Sequence, residues 1–288
     1  FVALSRTQLH GRVDYWLEHY AETELGGLDD KTTRFQYLYR RLTLTLYDVA
    51  ERLQDELKVS DFVPTDFELS IGNEAEVESY TLDLPDGGTL AVRGSVDRVD
   101  LCEKDGKTYV RVVDYKSGGK EFELSDILYG LNLQMLLYLF TIEQNGTGKY
   151  EDTVPAGILY YPAKRANGTT SRRDAPPEEA DVDNKGKNAQ NGLLLGDLDV
   201  LEAMEHGLEG NYIPVKLKRK KDGETSLTPV RTLASLQELG QLHKRIDFLL
   251  KKMATSLHEG AIPATPAEQN GYLPCSYCDY RAVCRPEE

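Results

Sequence analysis

The sequence predicts an α+β fold of the α/β type: a mixed central sheet flanked by helices. Three observations predict it. Apolar residues recur at helical spacing over residues 6–57, residues 66–116 switch to an alternation of period two, and a continuous apolar strand at 154–162 follows an apolar helix.

The first helix is read from LSRTQLHGRVDYWLEHYAETELGG, where Leu9, Val13, Trp16, Leu17 and Tyr20 keep helical intervals and Gly26-Gly27 ends the run. KTTRFQYLYRRLTLTLYDVAERLQDEL continues the pattern as a second helix. DFELSIG and SYTLDLP then alternate, and Asp86-Gly87-Gly88 signals a hairpin. TLAVRGSVDRVDLCE reads as one long strand, Asp105-Gly106 turns the chain, and TYVRVVDYKSG returns, giving an antiparallel meander of three or four strands. Ser125 is expected to cap a single helix through DILYGLNLQMLLYLFTIEQNG, apolar nearly all round and so buried against the sheet. VPAGILYYP reads as a central strand. Residues 164–191 are polar, with Pro176-Pro177 and mixed charge, and read as a flexible insertion. A short helix (197–208), a hairpin in YIPVKLKRKKDGETS, a long helix (233–258) and a cysteine segment close the chain. The organisation expected is a helical part at 1–60, a core at 61–163, the insertion at 164–191 and C-terminal helices at 192–288, all in one domain.

Composition narrows the class. Of 288 residues, 40% are hydrophobic and 28% charged, as in globular chains, and no apolar run approaches membrane-span length. The net charge of −14 argues against a free-standing nucleic-acid binder, though not against an enzyme fed by a larger partner. The chain begins FVALSRTQLHG, without Met, and reads as a segment of a longer polypeptide. Cys275, Cys278 and Cys284 crowd together near the C-terminus while Cys102 stands alone. A secreted disulfide framework would spread its cysteines, so the clustering reads as a metal or cluster site in a reducing compartment.

The chemistry concentrates in GSVDRVD and VVDYKSG, on the two long strands. Asp114 and Lys116 are two apart and share a face, as do Ser95, Asp97 and Val99. If the hairpin register sets Asp97 on the Asp114 face, two carboxylates converge beside one lysine. Close carboxylates repel unless a positive charge intervenes, and a divalent cation with oxygen ligands, Mg²⁺ or Mn²⁺, supplies it. The competing reading is a plain strand ion pair with solvated acids around it. Arg98 and Asp100 alternate away from Asp97 and are expected on the other face, with Arg98 reaching a phosphate as the alternative. Tyr115 is expected in the core. Glu68, in DFELS, is either an extra site acid or an ordinary strand acid. The basic run at 216–221 is either a DNA-backbone contact or a solvated hairpin tip.

GSVDRVD, a turn, VVDYKSG and then LQMLLY together resemble the RecB-like branch of the PD-(D/E)XK nucleases. The resemblance implies a restriction-endonuclease-like core. It implies metal binding by Asp97 and Asp114, with a carbonyl lent by the backbone between Asp114 and Tyr115. Lys116 would serve the attacking water, and Gln134 with Tyr138, one helical turn apart, would form the family's Gln-x-x-x-Tyr motif. The family's helical Gly-x-x-x-His is expected upstream of residue 1, since neither His10 nor His19 has the required glycine. LGGLDDKTTRFQYLYRRL, SDFVPTDFELSIG and CSYCDYRAVC extend the resemblance to nuclease domains of bacterial helicase–nuclease complexes. That implies a cytoplasmic Mg²⁺-dependent exonuclease acting on single-stranded DNA from double-strand ends, beside an ATP-driven partner. It also implies a 4Fe-4S iron–sulfur cluster on Cys275, Cys278 and Cys284, with a fourth ligand upstream, packed by Tyr272, Tyr277 and Tyr280. Zinc is the competing metal for those thiols. Cys102 as fourth ligand is the alternative to an ordinary buried thiol. The runner-up function is a catalytically silent module that clamps DNA or holds a partner.

Overall fold

The computed structural model describes residues 1–85, 87–116, 122–163, 190–219, 225–261, 263–266, 268 and 273–284. Two helices open it, α1 (Arg6–Leu25) and α2 (Thr33–Lys58). Ser5 caps α1 in a reciprocal box with Gln8, and Gly26, at φ 70°, ends it in the left-handed conformation that glycine adopts without strain.

The sheet that follows is mixed, as expected. Its six strands run in the order β1 (Val63–Ile71), β4 (Gly94–Lys104), β5 (Lys107–Lys116), β6 (Val154–Pro162), β7 (Asn191–Leu195) and β10 (Leu233–Ala234). Pairing is parallel at β5–β6 and at β7–β10, and antiparallel at β1–β4, β4–β5 and β6–β7. The run expected as one long strand is divided at Arg93: β3 (Thr89–Val92) pairs with β2 (Tyr80–Asp83) in a sheet of its own, and β4 begins at Gly94. β4 and β5 join through Asp105 and Gly106, at φ 52° and 73°. Two successive positive φ values match a primed two-residue turn, whose twist suits a hairpin.

The single helix expected after Ser125 is two pieces. Leu124–Tyr129 is a 3₁₀ turn and α3 is Gln134–Asn145, separated by Gly130 (φ 75°) and Asn132 (φ 56°). Ser125 caps neither; Asn132 instead donates to Asp126, tying the turn to the start of α3. α3 packs across β5 and β6 and is itself covered by α5 (Leu236–His258). Tyr80 of β2 donates to Asp247 at 2.7 Å and meets His243 at 3.1 Å, both on α5, while the His243 ring stacks on Phe140 of α3 at 4.4 Å.

Strand β7 was not foreseen: it begins at Asn191, the last residue of the segment read as insertion, and runs on to Leu195; residues 164–189 lie outside those described. The short helix α4 (Leu198–Met204) and the hairpin of β8 (Lys216–Arg219) and β9 (Thr225–Thr228) stand where expected, and the basic run lies on β8 as far as it is described.

On the sheet face away from α3, α2 closes a dry ion cluster. Arg98 and Asp100 of β4, Arg111 of β5 and Glu56 of α2 are all fully buried. Arg98 grips Asp100 with Nε and Nη2 at 2.8 and 2.9 Å; Arg111 reaches Asp100 at 2.8 Å and Glu56 at 3.0 Å. Gln190 donates to the other Glu56 oxygen at 2.8 Å. Burial opposes the Arg98 charge, yet Asp100 and then Glu56 outweigh it and raise its pKa. One turn before Glu56, Arg52 donates to the Tyr161 hydroxyl at 3.0 Å and lies over its ring.

Two expectations follow. Glu56→Ala leaves two buried arginines with one carboxylate, and should lower stability by about 3–5 kcal/mol in denaturant unfolding; an unchanged midpoint would mean the cluster is dispensable. Burial lowers the His243 pKa against the opposing pull of Asp247. Folding therefore favours the neutral ring, and its contribution, complete above the ordinary value of 6.5, is lost as pH falls through the lower folded value. The slope of stability with pH in that acid window should flatten in His243→Phe.

Candidate active site

The β4–β5 register fixes how the candidate acids of this hairpin face each other. Arg98 pairs with Val113, so one further step of the register sets Asp97 opposite Asp114. Asp97 Oδ2 accepts from the Tyr115 backbone N–H at 2.9 Å. Its other oxygen has no hydrogen-bond partner among the described residues. Asp114 is 6% exposed, and Lys116 Nζ stands 2.6 Å from Asp114 Oδ2. The Asp114–Lys116 ion pair of the plain reading therefore exists, but inside a larger acidic group.

Two neighbours extend that group across the sheet. In β1, Phe67 pairs with Arg98 and Leu69 with Val96, so Glu68 falls opposite Asp97. Glu68 has φ 53°, and its carboxylate accepts from the Ser95 hydroxyl at 2.9 Å. Ser95 and Asp97 are two apart on one strand, so Glu68 joins the Asp97 face. On the other side, Asp114 pairs with Tyr160 of β6. The Tyr160 phenol is pushed up to about 12 by burial, then by Asp114 and Asp126, and Lys116 Nζ stands 5.8 Å from its ring. Glu68, Asp97, Asp114 and Tyr160 thus form one row over four neighbouring strands. Tyr160 was hidden in the sequence because it sits within an unbroken apolar strand; its pairing with Asp114 depends on the β5–β6 register, which no local motif encodes.

Gln134 and Tyr138 hold the expected relation on α3, Gln134 Nε2 donating to the Tyr138 hydroxyl at 3.1 Å. A Cβ on Gly94 would overlap that hydroxyl oxygen and lie 2.8 Å from the ring. The glycine of GSVDRVD is therefore the seat of Tyr138, three residues before Asp97.

The remaining candidates separate cleanly. Arg98 is fully buried in the ion cluster, which rules out the alternative that it reaches a phosphate. Tyr115 points to that same face, its hydroxyl accepting from Arg98 Nη1 at 3.0 Å. His10 pairs with Glu51 and stacks on Tyr47 at 4.0 Å between α1 and α2, and His19 stacks on Tyr15. Cys102 is a buried free thiol.

Cys275, Cys278 and Cys284, all free, line one cavity of about 470 Å³ together with Tyr277 and Tyr280; Tyr272 lies outside the described residues. Among the described residues no three His, Cys, Asp or Glu side chains converge closely enough to form a metal-binding group. The thiols share a cavity without meeting at one point.

The family model described as the PD-(D/E)XK nuclease superfamily matches residues 6–285. Three similar relatives are each named as the B component of an ATP-dependent helicase/deoxyribonuclease. That of Clostridium acetobutylicum is 32% identical over 260 residues, covering 90% of this chain and 22% of the relative. That of Caldanaerobacter subterraneus subsp. tengcongensis is 31% identical over 279 residues, 96% of this chain and 24% of the relative. That of Ruminiclostridium cellulolyticum is 30% identical over 278 residues, 95% of this chain and 23% of the relative. The chain therefore spans under a quarter of the length of these relatives.

The Gly94 contact yields a direct expectation. Tyr138 is buried, so Gly94→Ala should destabilise the fold by about 1–3 kcal/mol in denaturant unfolding. Tyr138→Phe removes the nearest atom and should recover part of that loss. Strict additivity of the two substitutions would show that the contact does not set the penalty.

Proposed function

This chain belongs to the PD-(D/E)XK nuclease superfamily, and from that membership we propose that it is the nuclease domain of an AddB-type helicase–nuclease protein, hydrolysing phosphodiester bonds of DNA with a divalent metal. The observation that carries the reading is the facing pair Asp97 and Asp114 with Lys116 beside it.

The donor set suits the metal. Two carboxylates offer hard oxygen ligands, one Asp97 oxygen is unengaged by described residues, and the surrounding row is acidic, as a site for Mg²⁺ or Mn²⁺ requires. When bound, such an ion polarises the scissile phosphate and acidifies a water ligand. The chain's own part is to orient. The Tyr115 N–H fixes Asp97, and Lys116 holds the attacking water or steadies charge on a phosphoryl oxygen. Tyr160 stays a neutral phenol at physiological pH, able to donate without adding charge. Gln134 and Tyr138 support the DNA strand or the site wall.

We read the substrate as single-stranded DNA from double-strand ends, cleaved as an exonuclease in the bacterial cytoplasm. An AddA-type, ATP-driven helicase–nuclease partner would deliver it during recombinational repair. The net charge of −14 fits delivery by a partner better than capture by this domain alone. The same charge supports the second reading, a DNA-clamping module silent in isolation. For the iron–sulfur cluster, Cys275, Cys278 and Cys284 would supply three soft thiolates around one cavity, with the fourth ligand elsewhere in the polypeptide. Its role would be structural, pinning the C-terminal segment.

The test is cleavage of linear single-stranded DNA by the full-length protein with its partner, the partner's own nuclease site inactivated. Lys116→Ala should lower the rate by about 10² or more, the usual scale for a lost proton-handling group. Chelation of divalent metal should abolish cleavage. Wild-type rates in Lys116→Ala would overturn the assignment, and DNA binding without cleavage by either protein would favour the clamp.

A further inference from the structure

The candidate metal face and the dry ion cluster occupy opposite faces of the same two strands, and Tyr115 meets both. Its backbone N–H donates to Asp97 Oδ2 at 2.9 Å. Its phenolic oxygen, on the far side, accepts from Arg98 Nη1 at 3.0 Å. Its ring lies 5.2 Å from that of Tyr161.

Arg98 is a fixed anchor. It is fully buried, and its Nε and Nη2 are both committed to Asp100. A planar guanidinium held by two bonds at one edge leaves its third nitrogen little freedom. The Arg98–Tyr115 bond therefore limits where the end of β5 can sit. That strand end carries Asp114 on one side of Tyr115 and Lys116 on the other, and its peptide N–H holds Asp97. All three candidate site residues are tied to one hydroxyl. Geometry at such a site must be kept within about 0.5 Å, which a free strand end does not provide.

We propose that Tyr115, fixed by Arg98, is a positioning residue for the metal site: its hydroxyl holds the β5 end where Asp97 and Asp114 face each other. This deepens the nuclease reading above and rests on it. Tyr115 touches neither substrate nor metal through its ring; it acts through Asp97, Asp114 and Lys116.

The test is Mn²⁺ binding to the full-length protein without DNA, followed by electron paramagnetic resonance of the free ion. The part of binding lost in Asp97→Asn belongs to this site. Tyr115→Phe keeps the ring and removes only the hydroxyl. It should weaken that part by roughly 3- to 10-fold, the scale of one hydrogen bond. The Mn²⁺ concentration for half-maximal cleavage should rise by a similar factor, with the rate at saturating Mn²⁺ nearly restored. Tyr161→Phe is the control. It removes another phenol bonded to an arginine, Arg52, and makes no hydrogen bond to the site residues. It should lower the melting temperature and leave Mn²⁺ binding unchanged. Unaltered Mn²⁺ affinity in Tyr115→Phe, or equal weakening in Tyr161→Phe, would overturn the positioning role alone. Absence of any Asp97-dependent Mn²⁺ binding in the wild type would overturn the nuclease reading and the positioning role together.

Discussion

Four charges held out of water organise this fold. Glu56, Arg98, Asp100 and Arg111 have no exposed surface, and each ion taken out of water carries a penalty of several kcal/mol. The arrangement is tolerable because two positive and two negative groups alternate at 2.8 to 3.5 Å. That condition fixes more than the charges themselves. Helix α2 must dock where Glu56 completes the set, and β4 must meet β5 in the register that sets Asp100 opposite Arg111. Apolar alternation already favours that register, and the ion cluster specifies it a second time.

The same strands show an unbalanced face on the other side. Glu68, Asp97 and Asp114 lie along one row, with Lys116 the ammonium bonded to it. An acidic surplus on a partly open face can be neutralised by a mobile cation, whereas the balanced face needs none. One hairpin thus carries a closed, balanced face and an open, acidic one. Gly94 adds a steric limit at the hairpin's start, because α3 can bring Tyr138 this close only to a residue without a side chain.

Much of this was legible in the sequence. Asp-x-Lys on an apolar strand, a second Asp across a two-residue turn and a Gln–Tyr pair one helical turn apart are local patterns, and each stands where its spacing implied. What was illegible depends on non-local register. Tyr160 looks like any other residue of VPAGILYYP until β6 is laid parallel to β5. Glu68 was weighed as an extra acid, but only the β1–β4 register, which sets it opposite Asp97, brings it to that face. The break at Gly130 went unseen for a related reason. The apolar pattern on both sides is continuous, while Asn132 and Asp126 bond to each other and end the 3₁₀ turn. The Arg98–Asp100 alternation was readable as an opposite face, but its partner Glu56 comes from a helix well upstream in the chain.

The turn at Asp105–Gly106 decides which face is which. Side chains alternate strictly along β4 and β5, so a slip of one strand by a single residue exchanges the two faces. A slip of β5 would carry Arg111 away from Asp100 and Glu56 and turn Asp114 toward the ion cluster, while Arg98 and Asp97 on β4 kept their faces. Length variation should therefore be unequally tolerated along this meander. The β2–β3 hairpin, in a sheet of its own, can lengthen without disturbing the row of acids. The two-residue turn cannot, and a single inserted codon there would part Arg111 from Asp100 and Asp114 from Asp97 in the same event.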